Sequence, residues 1–325
     1  MKRSNTDRLL TWNFLRMCIA HFLLFASLYV TLPLLPLLVE ERTGSAAEHG
    51  VWIYGAFAAG MLAVGPFHAH LGDEFRRKLV FVWSLLLSSM AVMGYLYADA
   101  FWQMVLLALW QGAGFALAVV GSLTVAIDIT PSARRSAGNL FYVWMARMGM
   151  MVGAWGGVWL YILFGPQIWA YVAAGLSVPA MLLGAGVYLP FRAPIGVPVC
   201  TMDRFLLPRA WVPALGLTML SMVAGLLMPL LATGDECPLM ALGLLALLSV
   251  PLTRLFVRLS HHCQRGTANA TCYLSTEVGV MMGMVMAYRE TDAASLHRDA
   301  VCWGILAMLF FVLAVYPYFR VKKVR

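Results

Sequence analysis

Long unbroken apolar runs dominate the chain, and polar residues collect in the short stretches between them. Ten runs are long enough to form membrane-crossing helices: 13–38, 51–71, 79–98, 101–127, 137–163, 166–190, 210–231, 237–257, 268–288 and 300–319. A helix rises about 1.5 Å per residue, so about 20 apolar residues cover a hydrocarbon core of roughly 30 Å. A membrane β-barrel would show shorter segments of alternating polarity instead. The pattern therefore predicts an all-α polytopic membrane protein with ten spans. The first run is read as a retained anchor, because it is too long for a signal-peptide core and lacks a small-residue cleavage site before the acidic stretch 39–50.

Charge in the short segments sets the orientation. Eighteen Lys and Arg fall in segments 1–12, 72–78, 128–136, 191–209, 254–267 and 320–325, against only Arg42, Arg289 and Arg298 in the intervening loops. Positively charged segments stay inside, so both termini are expected in the cytoplasm. The same rule accounts for the net charge of +8 without a nucleic-acid partner. Composition agrees with the pattern: 62% of residues are hydrophobic, 12% charged, and the mean hydropathy is +0.79.

One stretch recurs. Arg135–Gly153, RSAGNLFYVWMARMGMMVG, returns as Arg265–Gly283, RGTANATCYLSTEVGVMMG, with Arg135, Asn139, Gly149, Met151 and Gly153 matched without gaps. Each copy carries one ionisable residue within its apolar run, Arg147 in the first and Glu277 in the second. Arg147 lies ten residues into its run, about 15 Å deep and near the midplane. An ionised group there costs at least ~2.5–3.5 kcal/mol if it faces lipid, so both should face the interior or each other. Such a repeat suggests two related halves around a pathway. Two readings of the pair stand side by side: an anion-binding arginine with a proton-titrating glutamate, or a structural ion pair that fixes helix packing.

The short turn GPFHAHLGDEFRRK (Gly65–Lys78) resembles the signature loop of the major facilitator superfamily, G-x-L-[AS]-D-[RK]-x-G-[RK]-[RK]. Leu71, Gly72, Asp73, Arg77 and Lys78 fit; Ala69, Glu74 and Arg76 depart from it. The fourth run holds WQGAGFA (Trp110–Ala116), similar to the family's R-x-x-Q-G-x-G, with Ala108 in the place of the arginine. In the fifth run GMMVGAWGG (Gly149–Gly157) resembles a degraded antiporter motif that has lost its proline. The resemblance implies a two-bundle fold in a bacterial inner membrane, working by alternating access. It implies secondary transport of a small organic solute, proton-coupled export being one form, with no enzyme activity and no cofactor. A non-transporting sensor or a degenerate relic is the alternative.

Family members have two six-span bundles. Here the sequence divides into a six-helix unit at 1–191, a linker at 192–209 and a four-helix unit at 210–325, without the counterparts of the family's spans eight and nine. The family packs its fifth span on the eighth. The stripe Gly149–Gly153–Gly157 should therefore meet another helix or a second protomer, which would make a homodimer.

Other candidates are read against plainer roles. Arg16 and His21 lie on the first span, which lines the cavity in the family; a snorkelling Arg16 and a packing His21 are the plainer readings. Gln111 can contact solute or bridge helices. Asp73, Arg76, Arg77 and Lys78 form the candidate gating loop, and the basic residues also serve as a positive anchor. Cys18, Cys200, Cys237, Cys263, Cys272 and Cys302 show no metal spacing and read as free thiols. His68, His70, His261 and His262 offer only a weak case for a metal, and none is assigned. The sequence holds no phosphate-binding glycine loop and no H-E-x-x-H, which argues against a primary pump or metalloprotease.

Overall fold

The computed structural model describes residues 9–44, 49–189, 196–261, 264–289 and 293–320. His262 and Cys263 lie outside these segments. Among the described residues the chain forms α1 (Trp12–Thr31), α2 (Leu35–Thr43), α3 (Gly50–Val64), α4 (His68–Glu74), α5 (Arg77–Gly94), α6 (Phe101–Ile129), α7 (Arg135–Ala185), α8 (Trp211–Leu227), α9 (Cys237–Leu259), α10 (Arg265–Ala287) and α11 (Ala293–Phe310). Nine helices among the described residues, some joined through short 3-10 turns, are long and apolar enough to cross a membrane. The ten expected runs become nine because the fifth and sixth are joined without a loop inside α7.

A straight helix of the 51 residues of α7 would be about 77 Å long, far more than a bilayer core. It is not straight. Gly165 has φ 77° and ψ 179°, a conformation that L side chains rarely adopt, and Pro166 follows it. The contacts with α1 show that the chain turns back there. On one side Gly149, Gly153 and Gly157 lie against Phe22, Ala26 and Val30, running parallel to α1. On the other, Trp169 donates to the Val30 carbonyl, Ser27 to the Ala173 carbonyl and Arg16 to the Gly186 carbonyl, running antiparallel to it.

The glycine stripe thus finds its partner within the chain and gives no argument for a second protomer. A Cβ on Gly149, Gly153 or Gly157 would stand 2.4–2.5 Å from the α1 carbonyl oxygens, so only glycine permits this approach. The second half repeats the device. Gly279 and Gly283 of α10 press on the carbonyls of Thr218 and Met222 of α8, with the same four-residue step. Both partner helices, α1 and α8, pass into 3-10 turns at a proline, Pro33 in Leu32–Leu34 and Pro229 in Met228–Thr233. Proline cannot donate a backbone hydrogen bond, and neighbours re-satisfy the carbonyls around the first break. Trp169 Nε1 reaches the Val30 oxygen at 2.8 Å, and the Tyr54 hydroxyl reaches that of Leu32 at 2.5 Å.

Polar contacts gather at one end of the bundle, the basic face. There Arg77 pairs with Asp128, and Lys78 donates to the Ala185 and Val187 carbonyls at the end of α7. The opposite, acidic face is closed by Pro36 and Tyr288 against Gly50, with the Tyr54 and Tyr288 rings stacked at 5.8 Å. The helix α11 is the least enclosed span: only Leu296, Ala300 and Ala307 are buried, while Val301, Ile305 and Leu309 point outward, as suits a lipid-facing helix.

Candidate functional site

The repeat places Arg147 and Glu277 two residues before the first close-packed glycine of each copy. Each side chain therefore projects about 200° around the helix from that stripe. With the glycine faces spent on α1 and α8, the charged faces turn inward and meet. Arg147 Nη1 stands 3.7 Å from Glu277 Oε1, and both side chains are essentially inaccessible. This is an ion pair rather than a hydrogen bond, since 3.7 Å is too long for one. The guanidinium spends its short bond elsewhere, donating from Nη2 to Thr276 Oγ1 at 2.7 Å. Glu277 accepts from the Tyr29 hydroxyl through Oε2 at 2.8 Å, while its Oε1 and Arg147 Nε have no hydrogen-bond partner among the described residues.

Around the pair lies a chain of neutral polar groups. The Ser122 hydroxyl donates to the Val119 carbonyl at 2.7 Å, so it can only accept from His21 Nδ1, 3.0 Å away. His21 Nε2 lies 3.1 Å from the Tyr273 hydroxyl, and a neutral ring with its proton on Nδ1 would accept from it. Its ring stacks on Tyr142 at 4.0 Å, and the guanidinium of Arg147 lies over Tyr273 at 5.8 Å.

Space lies beside this cluster. An apolar cavity of about 40 Å³ reaches Glu277 and Tyr273 and is lined by Met61, Gly65, His68 and Phe205. Beyond His68, on the basic face, a vestibule of about 530 Å³ is lined by Asp73, Arg77, Asp128, Asp203 and Arg204. His68, Leu117 and Val120 line both spaces, and Phe205 walls the inner one, its Cε2 standing 2.1 Å from where a Cβ on Gly65 would be. The stretch of chain leading to Phe205 is strapped down. Asp73 accepts from the amides of Gly196 and Val197 at 2.9 and 3.0 Å, and His70 meets the Val197 carbonyl at 2.9 Å. Thr201 N donates to the Pro66 carbonyl at 3.0 Å, and Leu207 N to Thr271 Oγ1 of α10 at 3.0 Å.

The candidate residues thus separate into three places. Arg147, Glu277 and His21 come together at the centre. Arg16 stays at the basic face, capping the end of α7 through Gly186 at 2.9 Å. Gln111 is buried away from the central pair, accepting from the Tyr95 hydroxyl at 2.9 Å and reaching Thr31 at 3.4 Å, so it bridges helices. In the signature turn Asp73 holds the linker, Arg77 and Lys78 hold neighbouring helix ends, and Arg76 is exposed. Sequence reasoning missed Tyr29, Ser122, Tyr273, Thr276 and Phe205. Only Tyr273, one helical turn before Glu277 on the same face, carried a usable signal.

The family model for the Major Facilitator Superfamily matches residues 17–316. Among solved structures the chain is similar to the crystal structure of a mutant of the nucleoside transporter NupG, with a TM-score of 0.62 and 13% identity, covering 93% of this chain and 100% of that one. At that identity the likeness concerns the fold alone. No curated protein matches the sequence.

Proposed function

This chain belongs to the major facilitator superfamily and is a secondary membrane transporter, and from that premise we propose that it moves a small organic solute together with a proton carried by Glu277. The observation that supports the reading most is the state of Glu277. It is buried opposite Arg147, holds one oxygen outside any hydrogen bond, and lines a cavity that leads toward the basic-face vestibule. A carboxylate so placed can exchange a proton. When it does, its attraction for Arg147 is lost, and the guanidinium is left to bind a carboxylate, phosphate or carbonyl oxygen of the solute. Proton uptake at Glu277 and solute binding at Arg147 would then favour one another, which is a sufficient device for carrying the two together.

The vestibule has the volume of a small-molecule site. On this reading the basic face is cytoplasmic, both termini lie there, and the bilayer is a cell's inner membrane. Residues 1–191 and 210–325 rock about the pair, the linker 192–209 carrying Phe205 as the inner plug. A non-transporting sensor is favoured by one observation, the small space at the centre. Reconstituted proteoliposomes, offered a broad panel of anionic and neutral solutes with and without a pH gradient, separate the two. Gradient-dependent flux of some solute is expected; none for any solute would favour the sensor.

A further inference from the structure

On the acidic face, away from the Arg147–Glu277 pair, three side chains of different chemistry converge. Asp235 lies in the turn between α8 and α9, Cys237 opens α9, and His297 lies in the first turns of α11. One ligand atom from each lies within 4.8 Å of the others. His297 Nε2 stands 2.9 Å from Asp235 Oδ2, and the other carboxylate oxygen accepts from the Cys237 amide at 2.8 Å.

The second nitrogen of His297 makes the arrangement specific. Nδ1 faces the Ala293 carbonyl at 2.8 Å, and a carbonyl can only accept, so Nδ1 carries the proton. Nε2 is then free to offer its lone pair, directed at a carboxylate oxygen that also offers only lone pairs. Two such atoms at 2.9 Å need a cation between or on them: a second proton on the ring, or a metal ion. A backbone carbonyl that fixes the outer nitrogen of a histidine is the usual support of a metal-ligating imidazole.

We propose that Asp235, Cys237 and His297 bind a divalent transition metal of the zinc class, which ties the start of α9 to the start of α11. The donor set of one nitrogen, one sulfur and one carboxylate oxygen suits such an ion and not magnesium or calcium, which choose oxygen alone. Three protein ligands leave a fourth position for water. Tetrahedral N and O ligands on zinc lie about 3.3 Å apart, so Nε2 and Oδ2 need to part by only a few tenths of an ångström. Both side chains are partly exposed, at 42% and 25%, and have room to do so.

The consequence for the fold is local. Leu296 and Ala300 of α11 pack with Leu226, Leu230 and Ala287 in a small apolar cluster, against which Cys237 also packs. This cluster is separate from the main core, and α11 has few other buried residues. A metal at its rim would secure the most loosely held span. Nothing in the sequence spacing shows this, because His297 follows Cys237 by 60 residues.

The test uses the purified full-length carrier in detergent, titrated with Co2+ and then Zn2+. A saturable thiolate-to-cobalt absorption at one ion per chain is expected, displaced by Zn2+ and lost in Cys237→Ser and in His297→Gln. It should persist in Cys200→Ser and Cys302→Ser, which remove exposed thiols elsewhere. Zn2+ should raise the unfolding midpoint of the wild type and leave both site variants unmoved, their zinc-free midpoints reporting that they fold. In the wild type Zn2+ should also shield Cys237 from maleimide. Absence of a saturable cobalt band in the wild type, or a band unchanged in Cys237→Ser, would show that His297 and Asp235 form a plain ion pair and overturn the proposal.

Discussion

Removing either half of the central pair should not cost the same. Arg147 and Glu277 attract across 3.7 Å, which at an effective dielectric of about 20 corresponds to roughly 4–5 kcal/mol. Losing one partner of a buried pair typically destabilises by about 3–5 kcal/mol, because the survivor is left charged in an apolar setting. The survivors differ, however. Glu277 stranded by Arg147→Gln can take up a proton and become neutral, keeping the Tyr29 hydroxyl beside it. Arg147 stranded by Glu277→Gln cannot lose its charge. Thr276, the Met150 sulfur at 3.0 Å and the face of Tyr273 then remain, all of them uncharged. We therefore expect Glu277→Gln to cost the larger share, about 3–5 kcal/mol, and Arg147→Gln about 1–2 kcal/mol. The double variant should recover part of the larger loss. Thermal unfolding in detergent, followed by the reactivity of the buried thiols of Cys18 and Cys272, gives all four corners of the cycle. Equal losses from the two single changes, or a Glu277→Gln protein as stable as the wild type, would refute the reasoning.

Other expectations follow from single contacts. Gly153→Leu should abolish folded yield, since its Cβ would stand 2.5 Å from the Ala26 oxygen; normal expression and elution would show that the α1–α7 seam is not close-packed. Phe205→Ala should join the vestibule of about 530 Å³ to the inner cavity of about 40 Å³ and speed thiol labelling of a cysteine placed at Val64; an unchanged rate would mean that Phe205 is no plug. In whole cells an impermeant thiol reagent should reach cysteines placed at 42–49, 233–235 and 291–297 and leave 196–203 unlabelled, and labelling of that last segment from outside would invert the proposed orientation.

The parts of the site that were legible in the sequence were those that break a local rule. An ionisable residue inside an apolar run is conspicuous, and the 130-residue offset between Arg147 and Glu277 links the two by sequence alone. Their direct contact was not legible, because helix periodicity gives the face of a residue and not the helix it meets. The same limit explains Gln111 and Arg16, which sit on helices that also carry true cluster members yet serve as a bridge and a cap. Phe205 was invisible, since an aromatic residue in a linker has no periodic neighbours to give it a direction. The turn at Gly165 was half legible: Gly-Pro separates the fifth and sixth runs, and the absence of a polar loop hid how tightly they join.

The central claim is that Glu277 carries the coupling proton, and the most direct measurement compares two modes of flux in the same Glu277→Gln proteoliposomes. A carrier whose proton site is fixed neutral should still exchange labelled for unlabelled solute, because exchange needs no net proton movement. It should fail to concentrate solute when a pH gradient is imposed. Exchange that persists with gradient-driven accumulation lost is the predicted result. Accumulation that follows the gradient as in the wild type would place the proton elsewhere and contradict the proposal.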